Sequence, residues 1–243
     1  MYLSMIEATT REVLLGTAAS VALLHTLIGV DHYLPFVVLG RARNWSMGKV
    51  AGLTAVCGLG HVIGSIVLGV LGIALGTAVG DLEAVESVRG ELAAWGLIAF
   101  GLVYTTWALV RLQRNKTHSH AHRLLHADGA PHAHGHSHQH DHLQTPKAQS
   151  SASFWGLFVV FALGPCEPLI PVLMAPAFAH DWWLVAEVTG IFAAVTIGSM
   201  VSMAVIGAKG LSFARFDGIE RYSGVLAGSA IAASGLAIQF LGI

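Results

Sequence analysis

Residues 50–79 read VAGLTAVCGLGHVIGSIVLGVLGIALGTAV, an unbroken run without a single Asp, Glu, Lys or Arg. A hydrocarbon layer about 30 Å thick is crossed by about 20 largely apolar residues in a helix, so this stretch is long enough to span it. Five further stretches have the same character. They lie at roughly Val13–Leu39, Leu92–Leu112, Phe154–Phe178, Trp182–Ala208 and Tyr222–Ile243. The fold expected is all-α, an integral membrane protein of six transmembrane helices, with one long polar segment between the third and fourth.

Composition agrees. Of 243 residues, 54% are hydrophobic and 11% charged, the net charge is −1, and mean hydropathy is +0.66. An average soluble domain carries about 25% charged residues. These values argue against a soluble enzyme and a nucleic-acid binder, and two cysteines cannot build a disulfide framework. The partner that composition leads one to expect is the lipid bilayer, with no nucleic acid; a metal ion follows from the ionisable residues within the spans.

Basic residues set the orientation. With six spans, eleven of the 13 fall on one side: Arg41, Arg43, Lys49, Arg111, Arg114, Lys116, Arg123, Lys147, Lys209, Arg215 and Arg221. Arg11 and Arg89 fall on the other, with Asp81, Glu83, Glu86, Asp181 and Glu187. Both termini are therefore expected outside and the long loop in the cytoplasm. Met1–Arg11 has no basic start, so no cleaved signal peptide is expected.

An internal repeat is visible. Gly29-Val30-Asp31-His32-Tyr33-Leu34 aligns without a gap on Gly164-Pro165-Cys166-Glu167-Pro168-Leu169. Gly64-Ser65 aligns on Gly198-Ser199 when the offset is shortened by a single position. Chance similarity between Gly-rich helices is the competing explanation. A three-span unit repeated once must enter the membrane upside down, the plan of secondary transporters with a site at the midplane. The chain divides accordingly into 1–112, a first three-helix repeat, 113–153, a His-rich loop, and 154–243, a second repeat.

Ionisable groups within spans are costly and mark function. The first span carries His25, Asp31 and His32, the second Cys57 and His61, and the fourth Cys166 and Glu167. Imidazole, carboxylate and thiolate are ligands for Ni, Co, Zn and Cu. His25 and His32 are seven positions apart, about 10.5 Å along a straight helix, too far to share an ion. Either they serve successive sites or the helix is interrupted, as Gly29 and Pro35 permit. Pro165, Pro168 and Pro171 break the fourth span around Cys166 and Glu167. Cys57 reads more readily as a small packing residue than as a ligand. His180 and Asp181 fall in an outer turn and read as solvated, and Glu187 as at most a residue of the outer mouth.

Ten of the 14 histidines lie between His118 and His142, most densely His132, His134, His136, His138, His140 and His142. Alternating His with Gly and Ser builds no core, so the loop is expected to be unstructured when metal-free and to capture divalent metals. A pH-responsive linker is the alternative.

His25-x5-Asp31-His32, Gly60-His61 and the His-rich loop resemble the bacterial nickel/cobalt transporters, whose pattern is H-x4-D-H in one helix and Gly-His-Ser in the next. This chain has one more residue between His25 and Asp31, and Val62 in place of the Ser. Its six-span layout with a cytoplasmic His-rich loop looks more like the efflux branch. The resemblance implies a non-enzymatic transporter of Ni²⁺ or Co²⁺, with Zn²⁺ as a further cargo, in the bacterial inner membrane, with His25, Asp31, His32 and His61 as ligands of the metal path. Gly164-Pro165-Cys166-x-Pro168 with Pro171 resembles the Pro-Cys helices of cytochrome c biogenesis and disulfide-reductant conduits. That implies a thiol–disulfide electron conduit through Cys57 and Cys166, although the repeat partner of Cys166 is Asp31. Small-anion exporters share the plan, and metal sensing without transport is a further alternative. The metal set expected at the midplane is His25, Asp31, His32, His61, Cys166 and Glu167.

Overall fold

Apolar side chains recur all round most of the long segments, so each buries one face in the protein and leaves others for lipid. The computed structural model describes residues 2–75, 79–114, 146–164, 166, 168–213 and 220–241. Among the described residues there are eight α-helices: α1 Tyr2–Ile28, α2 Leu34–Ala42, α3 Met47–Leu75, α4 Val79–Arg114, α5 Pro146–Leu163, α6 Leu169–Phe178, α7 Trp182–Phe213 and α8 Ser223–Leu241. The same residues include no strand. Parts of α1, α3, α4, α7 and α8 are long and apolar enough to cross a membrane, and Phe154–Leu163 and Leu169–Phe178 are shorter apolar helices. The chain thus has the helices of a multi-pass membrane protein.

The first and fourth apolar stretches are each interrupted. Between α1 and α2 the chain makes a single 3-10 turn, Val30–His32. Its backbone stays satisfied: Gly29 N–H donates to His25 O (3.0 Å), His32 N–H to Gly29 O (3.1 Å) and Phe36 N–H to Tyr33 O (3.1 Å). Pro35, with no N–H, sits in the first turn of α2, where none is needed. Between α5 and α6, Gly164 N–H still reaches Val160 O (3.0 Å), and Leu169 N–H restarts the helix on Cys166 O (2.9 Å).

α1 packs on α7, α2 on α7 and α8, α5 on α3 and α4, and α6 on α7, α3 and α4; α3 crosses α7, and α4 runs along α8. The largest core cluster joins Phe36, Leu39, Val50, Leu157, Phe161, Met200 and Ile231. The α4–α8 seam is made by small residues, which let helix backbones approach in lipid. A Cβ added at Gly101 would lie 2.4 Å from Ala232 N and 2.6 Å from Gly228 O. Asp181 caps α7, its Oδ1 accepting from Leu184 N–H (3.0 Å), and both His180 and Asp181 are exposed as expected. Glu187 is paired across the α1–α7 seam, accepting from Arg11 Nε at 2.8 Å.

Three helix starts differ clearly from the expectation. α5 begins at Pro146, inside the segment assigned to the loop, α4 begins at Val79, well before Leu92, and α1 begins at Tyr2, well before Val13. The second difference buries charge. Glu86 and Arg89, expected on the outer side, form an ion pair within the fold, with Glu86 fully buried.

Gly101→Ala is expected to lower the melting temperature in detergent micelles, since overpacking of this kind costs about 1–3 kcal/mol. Gly52→Ala, with nothing within 4 Å of the added carbon, serves as the control and should leave melting unchanged or slightly raised.

Candidate metal centre

His25 occupies the last turn of α1. Beyond it the helix ends at Ile28, and the 3-10 turn folds His32 back against it. The two rings meet edge to face with centroids 4.7 Å apart, less than half the straight-helix separation. The interruption, not a pair of successive sites, is what the structure contains. His61, in the middle of α3, completes the group, its centroid 5.1 Å from that of His32 and 6.4 Å from that of His25. One ring nitrogen from each of the three lies within 4.8 Å of the others. Nitrogens bound to one ion about 2.1 Å away sit about 3–3.4 Å apart at right or tetrahedral angles, so ring movements of about 1 Å close the group around an ion.

The hydrogen bonds fix which nitrogen is available. His32 Nδ1 lies 2.9 Å from Gly29 O and 3.1 Å from Asp31 Oδ1, both acceptors, so Nδ1 carries the hydrogen. His61 Nδ1 donates likewise to Phe161 O at 3.3 Å. In the neutral form of each ring Nε2 then carries the lone pair. The Nε2 atoms of His25, His32 and His61 are all buried without a hydrogen-bond partner among the described residues. A buried polar atom without a partner costs about 1–3 kcal/mol, and three ring nitrogens gathered in one place could serve as a donor set for a metal ion. Ligating histidines ordinarily donate their other N–H to a carboxylate or a carbonyl, the arrangement found here for His32 and His61.

The group opens onto a cavity of about 710 Å³ whose walls include His25, Asp31, His32, His61, Glu91 and Gln239. Gln239 Oε1 is also buried without a partner among the described residues. Gly164 sits beside His61, and a Cβ there would lie 3.0 Å from His61 Nδ1 and 3.1 Å from Phe161 O. A side chain at this position would press on the ring's own hydrogen bond.

Of the residues expected to hold metal, His25, His32 and His61 converge, and Asp31 holds His32 and faces the same cavity. Cys166 is not part of the converging group. It is buried in an apolar cluster with Ala22, Leu169, Leu173 and Phe192, and its backbone N–H donates to Ser65 Oγ (3.2 Å) and Glu86 Oε2 (3.1 Å). Cys57 is buried in the main core, as a packing residue would be, and both thiols are free. Glu167 and the loop histidines His132, His134, His136, His138, His140 and His142 lie outside the described residues. The reading from sequence missed Glu86, Arg89, Glu91 and Gln239. The i, i+3 spacing of Glu86 and Arg89 was the available signal, since it places opposite charges on one helix face. No family model, curated protein or solved structure matches this chain.

Asp31→Ala removes an acceptor from His32 while sparing all three imidazoles, and is expected to weaken Co²⁺ binding about 10–100-fold. Cys57→Ser should leave it unchanged. Competition against a chromophoric chelator measures both.

Proposed function

We propose that the protein is a transporter of divalent transition-metal cations, Ni²⁺ or Co²⁺ first and Zn²⁺ as a further cargo, in a bacterial inner membrane. The observation that carries this reading is the trio of converging imidazoles with buried, unpartnered Nε2 atoms. Nitrogen donors without a hard-oxygen cage suit Ni, Co and Zn over Mg or Ca. His25 and His61 lie within helices of membrane-spanning length and His32 in the turn that follows the first of them, which suits passage of an ion. The ion would exchange part of its water shell for His25, His32 and His61. Asp31 would orient His32 and offset charge, and Glu167, beside the second interruption, would supply a further carboxylate. The site needs neither thiol.

Alternating access between two inverted halves is the proposed mechanism, with α5 and α6 together making a sixth, broken crossing. Three features support it. The two interruptions, at Gly29 and Gly164, fall at matching positions of the aligned halves. Packing is reciprocal: α1 and α2 lie on α7 and α8 as α5 and α6 lie on α3 and α4. Thr196, which lies opposite His61 at the offset that aligns Gly29 on Gly164 and one residue away at the offset that aligns Gly64 on Gly198, is likewise buried with its hydroxyl unpartnered among the described residues. Cation–aromatic pairs support placing their basic residues at a membrane interface, where such pairs are favoured. Arg43 lies over Tyr104, Lys49 over Trp45 and Arg111 over Trp107, at 5.3, 5.0 and 5.5 Å. Arg43, Lys49 and Arg111 are among the residues assigned to the cytoplasmic side. The His-rich loop would then collect or buffer metal there.

Flux of Co²⁺ into or out of proteoliposomes, followed with an entrapped dye, tests the reading. His32→Ala and His61→Ala are each expected to reduce flux to background, while Cys57→Ser with Cys166→Ser retains it. Full flux in both histidine variants would remove the site. Loss of function in the cysteine variant, together with a mixed disulfide to a thioredoxin-like protein trapped on a chain that keeps one of the two thiols, would favour electron transfer.

A further inference from the structure

The metal reading leaves one membrane-level cluster unused: Ser65 on α3, with Glu86 and Arg89 on α4. Glu86 is fully buried and the Arg89 side chain is 15% exposed. Burying two charges together is seldom a gain over well-packed apolar residues, so the pair calls for a reason beyond stability. Its bonds supply one. Arg89 Nη1 donates to Glu86 Oε1 and, at 3.3 Å, to Ser65 Oγ. Arg89 Nη2 donates to Ala162 O (3.1 Å) and Gly164 O (3.3 Å). Glu86 Oε2 and Ser65 Oγ both accept from Cys166 N–H, at 3.1 and 3.2 Å. The two side chains thus take up the backbone groups that the interruption between α5 and α6 leaves open.

The carbonyl that holds His61 belongs to the same turn. Phe161 O, one residue before Ala162 O, accepts the His61 Nδ1 hydrogen. Only a guanidinium can reach two carbonyls, a hydroxyl and a carboxylate at once from one planar fork. Fixing Ala162 O and Gly164 O fixes the last turn of α5, and with it the aim of Phe161 O.

We propose that Glu86 and Arg89 are positioning residues for the metal centre: by clamping the interrupted end of α5 they keep the His61 hydrogen on Nδ1 and its Nε2 lone pair turned to the other two imidazoles. The coupling runs from α4 through the α5 carbonyls to α3, and it rests on the metal reading only for its functional consequence. Arg89 itself touches no ligand atom in the structure.

The test uses the full chain in detergent micelles. Arg89→Lys keeps the charge and loses the fork. Glu86→Gln combined with Arg89→Gln removes both charges together, leaving none buried alone. Three quantities are read: Co²⁺ affinity with its ligand-field spectrum, the His61 tautomer in metal-free protein by ¹⁵N-histidine NMR, and the melting temperature. Both variants are expected to weaken Co²⁺ binding about tenfold or more, to shift the spectrum toward that of His61→Ala, and to abolish the single Nδ1–H tautomer of His61. Unchanged affinity, spectrum and tautomer would overturn the proposal even if melting fell, because a purely structural pair moves melting alone. If the unaltered chain binds no Co²⁺, the metal reading fails, and the His61 tautomer alone decides the clamp. Should either variant fail to fold, Ser65→Ala, which keeps both charges paired, is read by the same measurements, and a tautomer and spectrum identical to those of the unaltered chain count against the clamp.

Discussion

Hydrogen-bond satisfaction of backbone in a medium without water is the constraint on which this structure depends. A helix that stops within a bilayer exposes amides and carbonyls that lipid cannot solvate. This chain interrupts two apolar stretches, after α1 and after α5, and each end is met by a different device. At the first, the turn closes on itself through Gly29, Val30 and Tyr33, and the His32 ring adds its own N–H to the Gly29 carbonyl. At the second, the donors and acceptors come from elsewhere, from Arg89, Glu86 and Ser65.

Both devices have the same by-product. A histidine that donates through Nδ1 to main-chain oxygen has only Nε2 left to offer, and so the satisfaction of the backbone and the exposure of a lone pair are one event. His32 and His61 meet opposite interruptions and end up facing each other. The imidazole cluster is in this sense a consequence of how the chain ends its helices, and the ligand chemistry proposed for it follows from the same bonds.

Much of the architecture was legible in residue order. The helices at Met47–Leu75 and Trp182–Phe213, the interruption at the proline-rich stretch and the choice of His25, His32 and His61 as candidates follow from hydropathy, proline chemistry and ligand type. The His25–His32 spacing posed a choice that only a folded chain resolves, because a 3-10 turn shortens the path in a way that periodicity does not encode. Glu86 and Arg89 were misplaced for a plain reason: hydropathy penalises each charge separately, while opposite charges one helical turn apart cancel much of that penalty. The placement of Cys166 illustrates the converse. A cysteine among prolines reads as a ligand by type, yet what the fold uses is its main-chain N–H, a property every residue but proline shares. Gln239 was invisible because its partner helix is far away in sequence.

The contact at Gly101 and Gly228 bears on how such a molecule can deform. Where two helices touch peptide to peptide, corrugations of main-chain atoms interlock at the scale of a single bond length. Sliding one rod along the other would have to lift it over each ridge, whereas rolling about the shared line keeps every ridge in its furrow. The close α4–α8 contact is therefore expected to resist sliding more strongly than a roll about the shared line.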